Sequence, residues 1–407
     1  MIGLDSVGFL LLMLTLLAAL PVCVVTLQLA AALFRHTEDV GDVAAVRSSR
    51  GALVVLMPAH NEAVGIADAI AAVRAQLCAN DRLLIVADNC TDATASIARA
   101  AGAEVCERID SVRRGKGYAL DHGVRWLEQD QRDPPAFVAI VDADCIVEPH
   151  ALERLAQRCM SSGGPVQALY LMQAPQGASL SLRVAEFAWL IKNELRPTGS
   201  AALGGPCQLM GTGMVFPWAV IRKAPLASGH LVEDMQLGLD LARGGGTPPV
   251  FCPQARVISK FPSDVAGAIA QRTRWEHGHL SVIASVGPRL LARALMRGDL
   301  KLAAMVLDLM VPPLAALLLG LSVLLAVDFA WWWRSGDQHP VAVAGLALFQ
   351  LVGVVLASWW RFGRHLVSWR ELLSLPLYVA GKIPIYVRVF TRRQVEWVRT
   401  KRDDRGR

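Results

Sequence analysis

Residues Phe137 to Val141 are an unbroken apolar run, and Asp142-Ala143-Asp144 follows directly. Two carboxylates one residue apart at the end of a buried strand repel each other. A divalent cation carrying phosphate oxygens relieves that repulsion, because Mg2+ is usually held by one or two carboxylates plus substrate phosphates. A polar strand end followed by a turn residue accounts for a lone Asp-x-Asp equally well, so the rest of the chain has to decide. Further along, Glu233 and Asp234 sit where a helix should begin, a place that also suits a carboxylate as a cap. The stretch "QRTRW" joins an amide, two guanidinium groups and an indole within five residues, Gln271 to Trp275. "GGPCQLMGTGMVFP", 204 to 217, is rich in glycine, so backbone there can approach a flat ligand closely. "EHGH" at 276 to 279 is a poor metal site, since histidines two apart on a helix point to different faces.

The elements that must position these residues alternate between short apolar runs and helical patterns from residue 51 to about 260. That alternation predicts an α/β fold with an open, largely parallel sheet. "ALVVLM" ends in "PAHNE", "RLLIVA" ends in "DNCTD", and the strand at 137 to 141 ends in "DAD". Ligands of such sheets bind outside the carboxyl ends of the strands, so the three polar clusters should face one crevice. A dinucleotide is excluded there: no strand is followed by Gly-x-Gly-x-x-Gly, and "GTGMVF" has Phe216 where the third glycine belongs. "RGKG" lacks the glycine spacing and the Ser or Thr of a Walker loop. Ser263 or Asp264 is the expected cap of the helix leading into "QRTRW".

In order, "PAHNE", "ADNCTD", "RGKG", "DAD", "GTG", "ED" and Q-x-x-R-W resemble the membrane-bound family 2 glycosyltransferases, the group of cellulose, chitin, hyaluronan and poly-N-acetylglucosamine synthases. The resemblance covers residues 51 to about 290. It implies a GT-A domain of the nucleotide-diphospho-sugar transferase kind, inserted between transmembrane helices, and inverting transfer from a UDP-sugar to a growing polysaccharide. Asp144, with Asp142, would hold Mg2+ or Mn2+. Ala59, His60, Glu62, Asp88, Lys116, Asp142, Gln271 and Arg274 would bind the nucleotide sugar. Gly211, Thr212, Gly213 and Trp275 would form the acceptor platform, with Asp234 the general base and Glu233 its tuning neighbour. Helix geometry turns those two side chains about 100° apart, so only one can serve as base. One position departs from the pattern: many members carry two adjacent aspartates at the second strand end, and here the first is Ala87. Uracil or ribose recognition by that loop therefore rests on Asp88. Transfer of one sugar to a membrane lipid is the alternative within the enzymes. A sugar-nucleotide-binding regulator without turnover is the alternative outside them.

Composition agrees with a membrane enzyme. Of 407 residues, 54% are hydrophobic, and the mean hydropathy of +0.39 exceeds that of ordinary soluble chains. Val7 to Phe34 carries no charge and is long enough for a span. No Lys or Arg precedes it, as a secretory signal would require. Arg35, Arg47 and Arg50 follow, which places the catalytic domain in the cytoplasm of a bacterial-type inner or plasma membrane. Leu302 to Ala326 and Val341 to Trp360 read as two more spans. The stretch from Glu371 to Phe390, broken by Pro376, Gly381 and Pro384, reads as a bent interfacial segment, with a full fourth crossing as the alternative. The expected organisation is an anchor over 1–35, a catalytic domain over 51–260, interface helices over 261–300, two spans over 301–360 and an interfacial segment with a basic tail over 361–407. The charge of +6 gathers near the spans, where anionic headgroups are met, and no nucleic-acid motif accompanies it. Eight cysteines without a Cys-x-x-Cys pair read as reduced and structural. Expected partners are the donor, a carbohydrate or lipid acceptor, membrane lipids and, for a polymer product, export subunits.

Overall fold

The computed structural model describes residues 4–35, 50–230, 232–243, 246–262 and 265–386. They form two compact units. One contains 50–177 and 205–278, the other 4–35, 178–204 and 279–386.

The first unit is built on one sheet. Its strands are β1 Leu53–Ala59, β2 Arg82–Asp88, β3 Glu104–Arg108, β4 Phe137–Ile140, β5 Ile146–Val147, β6 Val166–Gln173, β7 Met214–Pro217 and β8 Val250–Lys260, in the order β3-β2-β1-β4-β7-β6-β8-β5. Strands β3, β2, β1 and β4 are mutually parallel, and β6 is parallel to β8. Strand β7 runs against both β4 and β6, and β5 runs against β8. The order reverses at β1, which has β2 on one side and β4 on the other, and a crevice opens outside the carboxyl ends of a sheet at such a point.

Strand β1 is buried at six of its seven residues, as a strand covered on both faces must be. Helix Lys116–Glu128 buries Ala119, Leu120, Gly123, Val124 and Leu127, one face of a 3.6-residue period. A Cβ at Gly123 would lie 2.5 Å from Leu56 Cδ1, so glycine lets this helix press against β1. Leu56, Leu84, Val86 and Ile140 are fully buried in the same cluster, each worth roughly 1.5–3 kcal/mol. Below the sheet's amino edge, Arg50 pairs with Asp81 at 2.6 Å and with Glu153 at 3.2 Å, all three at most 2% exposed. Arg50, counted in the sequence among charges flanking a membrane helix, is therefore an internal tie.

In the second unit, Ser6–Phe34, Leu314–Ser335 and His339–Gly363 are long and apolar enough to cross a membrane. The expected span Leu302 to Ala326 is not one helix. Helix Leu300–Leu309 stops, Pro312 and Pro313 intervene, and a new helix runs from Leu314 through Trp331–Trp333 to Ser335. Proline removes the N–H and clashes with the preceding turn, which breaks the ladder there. Residues 178–204, inside the expected 51–260 segment, form helices Leu180–Leu190 and Arg196–Ala202 joined by a π-turn and belong to this unit. Arg196 donates to Gln28 Oε1 (3.0 Å) and Asp308 Oδ1 (2.6 Å), and Gln28 Nε2 donates to the same carboxylate (2.8 Å). A Cβ at Gly199 would fall 1.7 Å from the Gln28 carbonyl oxygen, so that contact excludes any larger residue. Trp369–Leu372 and Leu375–Ala380 are two short helices. Arg47, Ser263, Asp264 and the basic tail from 387 lie outside the described residues.

Candidate active site

Each strand of the parallel half delivers a polar side chain at its carboxyl end. After β1, Asn61 adopts φ 55°, and after β2, Asn89 adopts φ 51°, the left-handed region in which Asn is enriched among non-glycine residues. These reversals turn the chain across the crevice. His60 Nδ1 donates to the Asp88 carbonyl at 2.7 Å, and the Glu62 N–H donates to Thr94 Oγ1 at 2.8 Å. Arg108, the last residue of β3, donates to Asp88 Oδ1 at 2.6 Å, to Asp110 at 3.0 Å and to the Arg113 carbonyl at 2.7 Å. Arg108 was not singled out in the sequence, although its place at a third strand end beside "DNCTD" was a signal. It orients Asp88 and closes the loop that leads to Lys116.

Lys116 opens its helix and forms an ion pair with Asp142. Its Nζ also donates to the Gly211 carbonyl at 2.8 Å. Burial works against the ammonium, but Asp142, Glu233 and Asp234 outweigh it and hold its pKa well above the ordinary value. The Asp142 N–H donates to Thr212 Oγ1 at 3.1 Å. Donor atoms of Asp142, Asp144 and Cys145 lie within 4.8 Å of one another. The Cys145 thiol donates to Asp144 Oδ1 at 3.5 Å, and burial, with Asp144 and Asp142 adding to it, pushes the thiol well up. Sulfur is a soft donor and suits Mg2+ or Mn2+ poorly. The two carboxylates remain as hard oxygen donors, the set that suits Mg2+ or Mn2+.

Glu233 and Asp234 open helix Glu233–Arg243. A Cβ at Gly211 would be 3.4 Å from Asp234 Oδ2 and 3.5 Å from Lys116 Nζ, which brings the base candidate and the lysine together beside one glycine. Burial, then the Asp234 charge, pushes Glu233 up to about 7. The two carboxylates line a small recess whose apolar wall includes Leu120, Met214, Leu226 and Leu237.

The loop 211–213, expected to form part of the acceptor platform, packs inside the sheet unit. All three residues are buried, and a Cβ at Gly213 would lie 2.7 Å from that of Ala168. The loop supports Lys116 through the Gly211 carbonyl and Asp142 through Thr212. Gln271, Arg274 and Trp275 lie on helix Val265–Ser285. Gln271 is 6% exposed, and among the described residues its Oε1 accepts no hydrogen bond.

The fold and these carboxylates define a nucleotide-sugar transferase, and the comparisons agree. Residues 50–278 match the model of the family described as "Glycosyltransferase like family 2". The chain belongs to that family and is a glycosyltransferase using a nucleotide sugar. No curated protein matches it. Among solved structures it is similar to mannosyltransferase PcManGT from Pyrobaculum calidifontis in complex with GDP-Man and Mn2+. The TM-score is 0.53 and the identity 16%, over 93% of this chain and 98% of that one. That likeness establishes a GT-A-like fold. Glucosyl-3-phosphoglycerate synthase from Mycobacterium tuberculosis, in complex with Mn2+, UDP and phosphoglyceric acid, aligns with a TM-score of 0.41 and 21% identity over 61% of this chain and 83% of that one.

Proposed function

We propose that the chain moves a sugar from a UDP-sugar, with inversion, to a hydroxyl at the cytoplasmic face of a membrane. The observation that carries this reading is the grouping of the Lys116–Asp142 pair with Asp144 next to it and with Asp234 beside Lys116 at Gly211. Asp142 and Asp144 would hold Mg2+ or Mn2+, which when bound neutralises charge on the leaving diphosphate as a Lewis acid. Lys116 adds a fixed cation to the same phosphates. Ala59, His60, Glu62 and Asp88 hold the nucleoside side, with Arg108 setting the Asp88 carboxylate. Asp234 takes the acceptor proton, because it stands beside the lysine at Gly211, and geometry precedes pKa in choosing a base. Glu233, holding its proton up to about 7, stays the neighbour that limits charge around it. Gln271 and Arg274 clamp the diphosphate, and Trp275 offers a face to the acceptor sugar. Recognition as a polymer synthase of the Q-x-x-R-W type rests on motif order.

The acceptor is where the structure adds a preference. Most side chains buried among the three long apolar helices, including Val22, Val25, Leu29, Leu321, Leu351 and Val354, are hydrocarbon, and the buried Thr15, Gln28 and Ser358 spend their polar groups on Asp328, Asp308 and the Val354 carbonyl. A sugar chain threading such a bundle would lose its hydroxyl partners. A lipid-borne acceptor is therefore favoured over a growing polysaccharide, which would need partner subunits for export. Membranes containing the chain, incubated with a panel of radiolabelled nucleotide sugars, should yield label in the organic extract at one sugar per lipid. Label only in a long polymer would restore the polysaccharide reading, and no transfer from any donor would leave the regulator.

A further inference from the structure

Gln167 stands on β6 opposite Met214 of β7 and is completely buried. Its amide is used at both ends. Nε2 donates to the Thr212 and Ala168 carbonyls, each at 2.9 Å, and Oε1 accepts the Met210 N–H at 2.8 Å. The loop it spans turns through Gly211 at φ 89° and Gly213 at φ 65°, a conformation held open to few residues. A side chain that only filled space there would need no polar atoms. Buried polar groups stay where each hydrogen bond is met, since an orphaned donor or acceptor is costly. The Gly213 carbonyl accepts the Ala168 N–H of β6 at 2.8 Å, and the rest of the loop serves the site: the Gly211 carbonyl takes Lys116, and Thr212 Oγ1 takes the Asp142 N–H.

We infer that Gln167 is a positioning residue for donor binding: it fixes the 210–213 backbone, through which Lys116 and Asp142 are set toward a metal-bound nucleoside diphosphate. The inference rests on the reading of Lys116, Asp142 and Asp144 as donor and metal residues. Removing the amide frees the Thr212 carbonyl and the Met210 N–H. The loop then shifts to find other partners and carries the lysine and the aspartate backbone with it.

The test is binding of UDP with saturating Mn2+, by calorimetry on the detergent-purified full chain. Gln167→Met keeps the volume and makes none of these bonds, so affinity should fall about tenfold in the folded fraction, the scale of one or two buried hydrogen bonds. Gln167→Glu is an isostere that, when protonated, still accepts from Met210 and donates one O–H to Thr212. Its affinity should approach that of the unaltered chain near about pH 6 and fall by about pH 8, as a buried carboxyl gains its charge. Should Gln167→Met fail to fold, that pH dependence alone decides. Affinity equal to the unaltered chain in both variants at both pH values would overturn the role. Lys116→Ala and Asp144→Asn serve as controls. If they lose UDP affinity while the Gln167 variants keep it, Gln167 alone is misassigned; if they too bind normally, the donor-site reading fails and takes this inference with it.

Discussion

Both units bury charge, and they use it differently. In the helical unit, Arg196 meets Asp308 directly, and Gln28 bonds to both. In the sheet unit, Glu233 feels two carboxylates, Asp234 and Asp142, against one ammonium, Lys116. The first set closes on itself and ties segments that are 112 and 280 residues apart. The second keeps a carboxyl proton near neutrality, because burial first, and then the Asp234 charge, works against ionised Glu233. A balanced buried set acts as a staple, whereas an acidic surplus is stabilised by a cation or by a ligand that brings one.

The largest effect expected from this contrast is on turnover. Asp234→Asn should lower transfer by on the order of 10² to 10⁴, the usual worth of a positioned base, with UDP affinity nearly intact. Glu233→Gln should cost less. Transfer rates and UDP calorimetry on the two variants check this, and the reverse ranking would exchange their roles. Next comes the staple. Asp308→Ala strands a buried guanidinium and should destabilise by about 3–5 kcal/mol. Replacing Arg196 and Asp308 together with leucines should cost much less, and equal losses in a detergent thermal melt would show that the pair is not what holds those helices.

A third prediction concerns pH. The raised pKa of Glu233 means that the folded chain binds its proton more tightly than the unfolded chain, whose carboxyl has the ordinary value of 4.5. Stability from this group is therefore lost as pH rises from 4.5 to about 7, and is constant above that. Glu233→Gln lacks this loss, so its melting temperature should gain on the unaltered chain across that window. Parallel melting curves between those limits would contradict the raised pKa of Glu233. The smallest effect is at Asp144. Asp144→Asn removes one of two repelling carboxylates and should raise metal-free stability by under about 1 kcal/mol, while Mn2+ no longer raises the melting temperature. A variant still stabilised by Mn2+ would remove Asp144 from the metal site.

Much of this molecule is visible in local pattern. Burial on both faces writes "LVVLM" and "LLIVA" as apolar runs, and "PAHNE", "DNCTD" and "DAD" mark their polar ends, because side-chain period and turn chemistry are properties of a few consecutive residues. The long charge-free stretches at Val7 to Phe34 and Val341 to Trp360 are legible for the same reason. The ordered motifs even suffice to place the family. Other features depend on residues far apart in the chain. Lys116 reaches Gly211 across 95 positions, Asp142 reaches Thr212 across 70, and Gln167 reaches Thr212 across 45. No periodicity records such pairs, so the sequence showed neither the burial of the 211–213 loop nor the internal tie at Arg50, which looked like a membrane-flanking charge. The 178–204 helices resembled any others within an α/β run until Arg196 and Gly199 met Gln28. The sequence alone thus determined which segments are buried and which residue types stand at their ends. Tertiary structure decided which polar groups satisfy one another, because a hydrogen bond depends on distance in space and is indifferent to separation along the chain.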